Sequence, residues 1–424
     1  MNSCAKMQSV EAQSGASRTA EQLIAVAASL REELREGQAD VEARGTYSPE
    51  MHEKFKAAGF YKALQPLRFD GLELSMTDFF RLVMEIARGC PSTGWCLSLG
   101  AGHSYIIASH FDEESQVELF GDGHFIAPHR GPPMGKCIPV EGGYEIEGTW
   151  NYSSGVPYST HFMGGILIEG KGSSDAMDDT HVFVVPRDRY EILDDWGNGR
   201  LLGMNGSGSN SVRVARTFVP ERLVQRCNWH EADVSGGTHG TRLHGNPMYL
   251  GRNLTFTAGE IVAVMGGLAR AALDEYRRLI ETKKVLMGPP ILRIEDPDFL
   301  RHYGHAVGLV ETAEQLILQA GERYMANCRR WQEKGIPFSP SDDSFNTALL
   351  FHASELVEQA VRLMFATAGS SETSPKSKMA RYYRDMSIQR TLVAGLGTLE
   401  GTGVSRARSY LFGATHALTR GSHK

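Results

Sequence analysis

Residues 142–155 read GGYEIEGTWNYSSG, and the reading of this stretch decides how the chain divides. Tyr144, Ile146 and Trp150 alternate with Glu145, Glu147 and Thr149, the period of a strand with one buried and one wet face. Gly142-Gly143 opens it as a turn. It closes on two hydroxyls and a glycine, Ser153-Ser154-Gly155, and the next apolar run, FMGGILI, begins seven residues later at Phe162. A tight turn would explain that ending. So would a strand edge laid against a flat, hydrogen-bonding ligand.

Downstream, HVFVVPR (181–187), YEILD (190–194) and SVRVARTFVP (211–220) repeat the strand signal, with turns such as Pro186-Arg187-Asp188 between them. Such a run of short strands predicts a small sandwich or barrel. Upstream the pattern is helical. Leu23, Val26, Ala27, Leu30 and Leu34 recur at three- and four-residue steps and predict a helix over 18–38. Ser48-Pro49-Glu50 starts a second, which stops at Gly59. Ser75 or Thr77 starts a third, ending at Gly89; Pro91-Ser92-Thr93 opens another through GWCLSLGAGHSYIIASHF, and Asp112 begins a short one to Phe120. From about Tyr249 four long amphipathic helices are predicted, within 257–284, 296–328, 345–369 and 384–413, as in a bundle. The fold class is therefore α+β, mainly α. Its expected parts are a disordered tail (1–17), a helical N-terminal domain (18–121), a β-domain (122–228) and a C-terminal four-helix bundle domain (229–424).

Composition narrows the function classes. With 44 Lys+Arg against 50 Asp+Glu the net charge is −6, and the basic residues are scattered, so no nucleic-acid footprint appears. The cysteines Cys4, Cys90, Cys96, Cys137, Cys227 and Cys328 show no CxxC spacing and are expected to be reduced, mostly buried thiols. No segment is read as approaching the roughly 18–20 apolar residues of a membrane span, and the N-terminal stretch has no apolar signal core. A cytoplasmic protein is expected. The pairs His239/His244 and His302/His305 lack nearby cysteines or carboxylate sets and are read as solvated or core histidines, so no metal is expected. GMNGSG is followed by a strand rather than a helix and is no dinucleotide fingerprint.

Four stretches carry a resemblance. GMNGSGSNSVRVARTFVPE (203–221) resembles the G-x-x-G-x-x-S…VPE stretch of acyl-CoA dehydrogenases, and GGYEIEGTWNYSSG resembles the flavin-facing strand of that superfamily. CPSTGWCLSLGAGH (90–103), GTWNYSSG and RYYRDMS (381–387) resemble the two-component, flavin-dependent aromatic hydroxylases, including those acting on 4-hydroxyphenylacetate and phenolic steroids. The resemblance spans about residues 18–415. It implies an oxygenase component that takes externally reduced FMN (or FAD) and O2, forms a C4a-hydroperoxyflavin, and hydroxylates an aromatic or heteroaromatic small molecule. It also implies a separate NAD(P)H-dependent flavin reductase and a homotetramer.

The same resemblance assigns residues. Ser154 is implied beside flavin N5, Tyr152 alongside the ring, and Ser153 with them at the cofactor. His103 matches a histidine near flavin and substrate; its other reading is a hydrogen-bonded core residue. His129 and Arg130 fall where relatives face substrate but often carry serines. Either they bind a phenolate or carboxylate, or they make a polar turn. Ser387 stands where these hydroxylases commonly have histidine, a departure that removes a strong base. It leaves room for a substrate that needs no deprotonation, such as an indole or amine, or for His129 to take the task. Gly369, Ser370 and Ser371 occupy the turn that in the superfamily reaches a neighbour's cofactor phosphate, and Lys284 stands where dehydrogenases have a phosphate-side arginine. Arg384-Asp385 reads as a structural or interfacial ion pair. The dehydrogenase alternative needs a carboxylate base; counting eight residues from Asp385 lands on Val393, and Glu400 lies two helical turns too far. N- or S-oxygenation by the same fold stays open.

Overall fold

The computed structural model describes residues 19–121, 123–170, 179–197, 199–226, 232–286 and 290–395, with Ala407 and Leu411. The predicted tail, Cys4, Cys227 and Glu400 lie outside the described residues. The first predicted helix is three: α1 (Ala20–Ser29), α2 (Arg31–Glu36) and α3 (Gln38–Arg44). Leu30 and Gly37 stay right-handed but with ψ of −9° and −4°, so the axis bends twice while Leu23, Leu34 and Val41 all reach the core. α4 (Pro49–Ala58) begins where Ser48 accepts from Met51 N and ends at Gly59, as read. α5 (Met76–Gly89) is capped by Ser75, and α8 (Glu113–Phe120) by Asp112. Between them the single helix predicted after Pro91 breaks at His103 into α6 (Pro91–Gly102) and α7 (Ser104–His110).

The middle of the chain forms two four-stranded sheets. One has the order β1 (His129–Arg130), β4 (His161–Ile166), β5 (His181–Pro186), β8 (Val224–Arg226); the other β2 (Lys136–Val140), β3 (Gly143–Trp150), β7 (Val212–Pro220), β6 (Glu191–Ile192). On β7 the buried positions slip from Val212 and Val214 to Val219, which strict alternation forbids. A bulge opposite Ile146/Gly148 absorbs the extra residue, so both ends of β7 face inward. Trp150, fully buried, packs edge-on to Phe183 at 5.0 Å and donates its indole N–H to Gly165 O at 2.8 Å. It pins one sheet to the other. The short β1, β2 and β8 were not legible as strands, β2 because Pro139 interrupts it.

After a short α9 (His239–His244) come α10 (Asn253–Thr282), α11 (Pro297–Lys334), α12 (Pro340–Ala368) and α13 (Lys378–Gly395). α13 starts six residues before its predicted place because Ser377 Oγ accepts from Met379 N and Ala380 N. α10 is the hub, packed against α5, α6, α11, α12 and α13. Its small residues permit this: a Cβ on Gly267 would lie 2.4 Å from Met84 O. Contrary to the sequence reading, α10 is long and apolar enough to cross a membrane, but its apolar window is almost wholly buried inside the protein. It is a core helix. Cys90, Cys96, Cys137 and Cys328 are buried and take part in no disulfide among the described residues.

Candidate active site

The strand end comes first. Ser153 N donates to Asn210 O at 3.1 Å and Gly155 N to Ser207 O at 2.9 Å, so the end of β3 is stitched to the 203–209 loop. Gly155 has φ +80°, and a Cβ there would meet Cys96 O of α6 at 3.1 Å. The glycine is therefore required twice, by the turn and by the close approach. The hydroxyls form a chain: Ser154 Oγ to Ser209 Oγ at 2.8 Å, and Ser209 Oγ to Ser207 Oγ at 2.7 Å. Ser154 is half-buried at the outer end of that chain, and Tyr152 beside it is 55% exposed, edge-on to Trp196 at 5.6 Å. Ser153 is different. It is fully buried with its hydroxyl nearest Trp150 O, so it supports the turn and offers nothing outward.

The second cluster lies at the far end of α6, roughly 10 Å along the axis from Cys96. His103, 3% exposed, donates Nδ1–H to Ala127 O at 2.7 Å, and its ring stands perpendicular to His129 at 5.5 Å. Of the two sequence readings of His103, the hydrogen-bonded core residue is the one its contacts show. Burial first, then His103 and Arg130, push the His129 imidazole down to about 3, so His129 is neutral near pH 7. Arg130, on the other face of β1, has a buried Nε with no hydrogen-bond partner among the described residues. Burial lowers its guanidinium, opposed in part by Tyr152.

One member was missed from sequence. Glu260 of α10 is 3% exposed; its Oε2 lies 3.7 Å from His103 Nε2 and has no hydrogen-bond partner among the described residues. Burial raises its carboxyl, against the pull of His103. A lone acid in the apolar and small run 258–269 was the available signal.

The remaining assignments fall elsewhere. Asp385 Oδ1 accepts Met204 N at 2.6 Å and so holds the 203–209 loop. Burial raises its carboxyl to about 7. Arg384 pairs with Glu42 at 2.9 Å, not with Asp385, and Arg381 joins the same carboxylate at 2.7 Å. The expected Arg384-Asp385 pair is thus two separate contacts. Ser387 donates to Tyr383 O at 2.7 Å within its own helix. Gly369, with φ +99°, Ser370 and Ser371 follow α12 near the C-terminal end of α10. Lys283, rather than Lys284, reaches Ser371 Oγ at 2.7 Å, while Lys284 bridges Leu292 through its backbone. Along α10 that turn is roughly 35 Å from Glu260. It cannot serve the same site within one chain. Of the decoys, His244 Nε2 is engaged by Gln116 at 2.8 Å, and no cluster of three His, Cys, Asp or Glu suited to a metal occurs among the described residues.

Comparison with known proteins gives a family. The acyl-CoA dehydrogenase N-terminal domain matches residues 19–119 and the acyl-CoA dehydrogenase C-terminal domain matches residues 260–393, together more than half of the chain. A pigment production hydroxylase of a Rhodococcus species is 28% identical over 334 residues, 78% of this chain and 81% of that protein. The oxygenase subunit HsaA of a flavin-dependent monooxygenase from Mycobacterium tuberculosis is 33% identical over 205 residues, 48% of this chain; the chain spans half the length of that relative. The crystal structure of the HsaA monooxygenase from M. tuberculosis superimposes with a TM-score of 0.81 at 24% identity, over 93% of this chain and 97% of that one, a likeness of fold. The chain belongs to the acyl-CoA dehydrogenase family, on its flavin-dependent monooxygenase side.

Proposed function

We propose that this protein is the oxygenase component of a two-component monooxygenase, which uses reduced flavin from a separate reductase, and O2, to hydroxylate an aromatic or heteroaromatic small molecule. The observation that carries the reading is the strand end: a chain of three serine hydroxyls, open at Ser154 and flanked by the exposed ring of Tyr152. This donor set fits a flavin, whose ring is flat and polar along one edge. Ser154 and the neighbouring backbone would hold that edge, with Tyr152 against the ring. Bound reduced flavin supplies the activation of O2. His129, neutral and half-buried, is suited to accept a hydrogen bond from a substrate hydroxyl or N–H, and Arg130 to hold a phenolate or carboxylate. Water is kept out by the wall of Phe79, Phe256 and Gly102 around Glu260. Gly369, Ser370 and Ser371, too distant within one chain, would reach the cofactor of a neighbouring subunit in a homotetramer.

The direct experiment is stopped-flow absorbance, with anaerobic protein plus reduced FMN, and separately reduced FAD, mixed with oxygenated buffer. An absorbing intermediate that outlives free flavin reoxidation by orders of magnitude is expected, with one of the two flavins preferred. Reoxidation at the free-flavin rate with both would overturn the reading. Oxidised flavin retained through purification and bleached by an acyl-CoA would replace it with the dehydrogenase.

A further inference from the structure

The Glu260–His103 contact constrains where a proton must be. A carbonyl oxygen only accepts, so the 2.7 Å bond to Ala127 O fixes the hydrogen on His103 Nδ1. The neutral ring then has a bare lone pair on Nε2, and that nitrogen faces Glu260 Oε2 at 3.7 Å, in a place where neither side chain meets water. Two lone pairs facing each other in a dry interior, with no donor for Oε2, is an unstable arrangement. One proton between them resolves it. The imidazole is the stronger base by about two pH units in water, and as an imidazolium it satisfies both contacts at once, Nδ1–H on Ala127 O and Nε2–H toward the carboxylate.

We infer that Glu260 and His103 form a buried carboxylate–imidazolium pair of zero net charge, and that Glu260 is a positioning residue which locks the His103 ring against His129. The catalytic part of this inference rests on the proposed monooxygenase reading; the pair itself does not. Its consequence for substrate is a masked carboxylate. Because the charge of Glu260 is cancelled locally, Arg130 acts on the pocket with no competing anion, and an acidic aromatic substrate is favoured over a neutral one.

The surroundings support a closed pair. From α5 the neighbour is Phe79, from α10 itself Phe256, and from α6 Gly102 and Ser98, whose hydroxyl donates to Glu260 O at 2.7 Å. The titratable or charged groups beyond His103 come from β1: His129, ring to ring with His103, and Arg130 acting on His129. Among the described residues His103 is the one charge that acts on the Glu260 carboxyl.

A double-substitution cycle on the full chain tests the pair without any flavin. His103→Gln and Glu260→Gln are each expected to lower the thermal midpoint at pH 7, His103→Gln by on the order of 5 °C. The double variant, which has no buried charge, should recover most of that loss. His103→Gln should also lose stability as pH rises from 5 to 8, since a lone buried carboxyl holds its proton more tightly folded than unfolded, a penalty that grows once the unfolded form ionises. Additive losses with no pH dependence would reduce the contact to packing and overturn the inference. If the single variants do not fold, a folded double variant supports the pair and an unfolded one refutes it. The catalytic arm uses reduced flavin, O2 and a set of phenols and indoles with and without a carboxylate. Glu260→Gln should cut the yield of product per O2 about tenfold, alter its pH profile, and leave flavin affinity within twofold. An unchanged yield and pH profile would remove Glu260 from catalysis. No oxygenation by the unsubstituted protein would instead defeat the monooxygenase reading, while the stability cycle still decides the pair.

Discussion

The end of β3 and the middle of α13 approach the 203–209 loop from different elements, and each carries a serine, Ser154 or Ser387, at a position that the resemblance marked as catalytic. They use their polar groups differently. At the strand end the hydroxyls bond to one another and leave Ser154 at the open end. On α13 four polar groups of the RYYRDMS motif are turned to holding structure: Arg381 and Arg384 to Glu42, Asp385 to Met204 N, and Ser387 to the carbonyl of Tyr383. The first region presents donors and the second fixes the loop that completes the first. A residue's identity in a motif says little about its role until the partner of its donor is known.

The largest effect expected from this contrast is at the seam between loop and helix. A Cβ on Gly203 would come within 2.5 Å of the Arg384 backbone, where nothing can move aside. Gly203→Val should therefore cost about 3 kcal/mol, the upper range for overpacking, read as a lower denaturant midpoint. A variant as stable as the parent would mean that α13 does not brace the loop. Next comes Asp385. Asp385→Ala leaves the Met204 N–H buried and unpaired at a cost of about 1–3 kcal/mol. Asp385→Asn keeps an acceptor and removes the titration. The sign follows from burial: the folded carboxyl is raised to about 7 from an ordinary 3.8. Its contribution is thus fully favourable below about pH 4 and is lost as pH rises toward 7. Between those limits the Asn variant should show a flatter stability profile, and the same slope in both proteins would assign the titration to another group.

The order of parts was legible because each has a strong local signal, the period of helices before and after and the alternation in YEIEGTW between them. Caps at Ser48, Ser75 and Asp112 fell where their side chains indicated. What escaped was set by tertiary contact. The bends at Leu30 and Gly37 and the break at His103 carry no proline to announce them, and β1 is two residues long. Within the site, the Gly155 turn and the closeness of His103 to His129 were approachable from motifs. The lone acid Glu260 stood out in its run, but its partner did not, because His103 is 157 positions away in the chain and only the packing of α10 on α6 brings them together. The roles of Ser153 and Ser387 were equally hidden, since a sequence shows a hydroxyl but not the acceptor it has found.

A smaller effect separates the two serines. Ser154→Ala removes one hydroxyl from the open end of the chain and should weaken binding of reduced flavin roughly fivefold, the worth of about 1 kcal/mol, measured by anaerobic fluorescence titration. Stability should hardly change, because Ser209 keeps Ser207 as a partner.

Ser387→Ala is the smallest and the most instructive. A serine that donates to the carbonyl four residues back adds little to its helix and slightly disfavours it, while alanine is the best helix former. The substitution should shift stability by less than about 0.5 kcal/mol and leave flavin affinity as it was. If it instead weakens flavin as much as Ser154→Ala does, then the Ser387 hydroxyl leaves Tyr383 O when the cofactor binds. α13 would then present donors as the strand end does, and the division between a presenting and a holding region would not survive flavin binding.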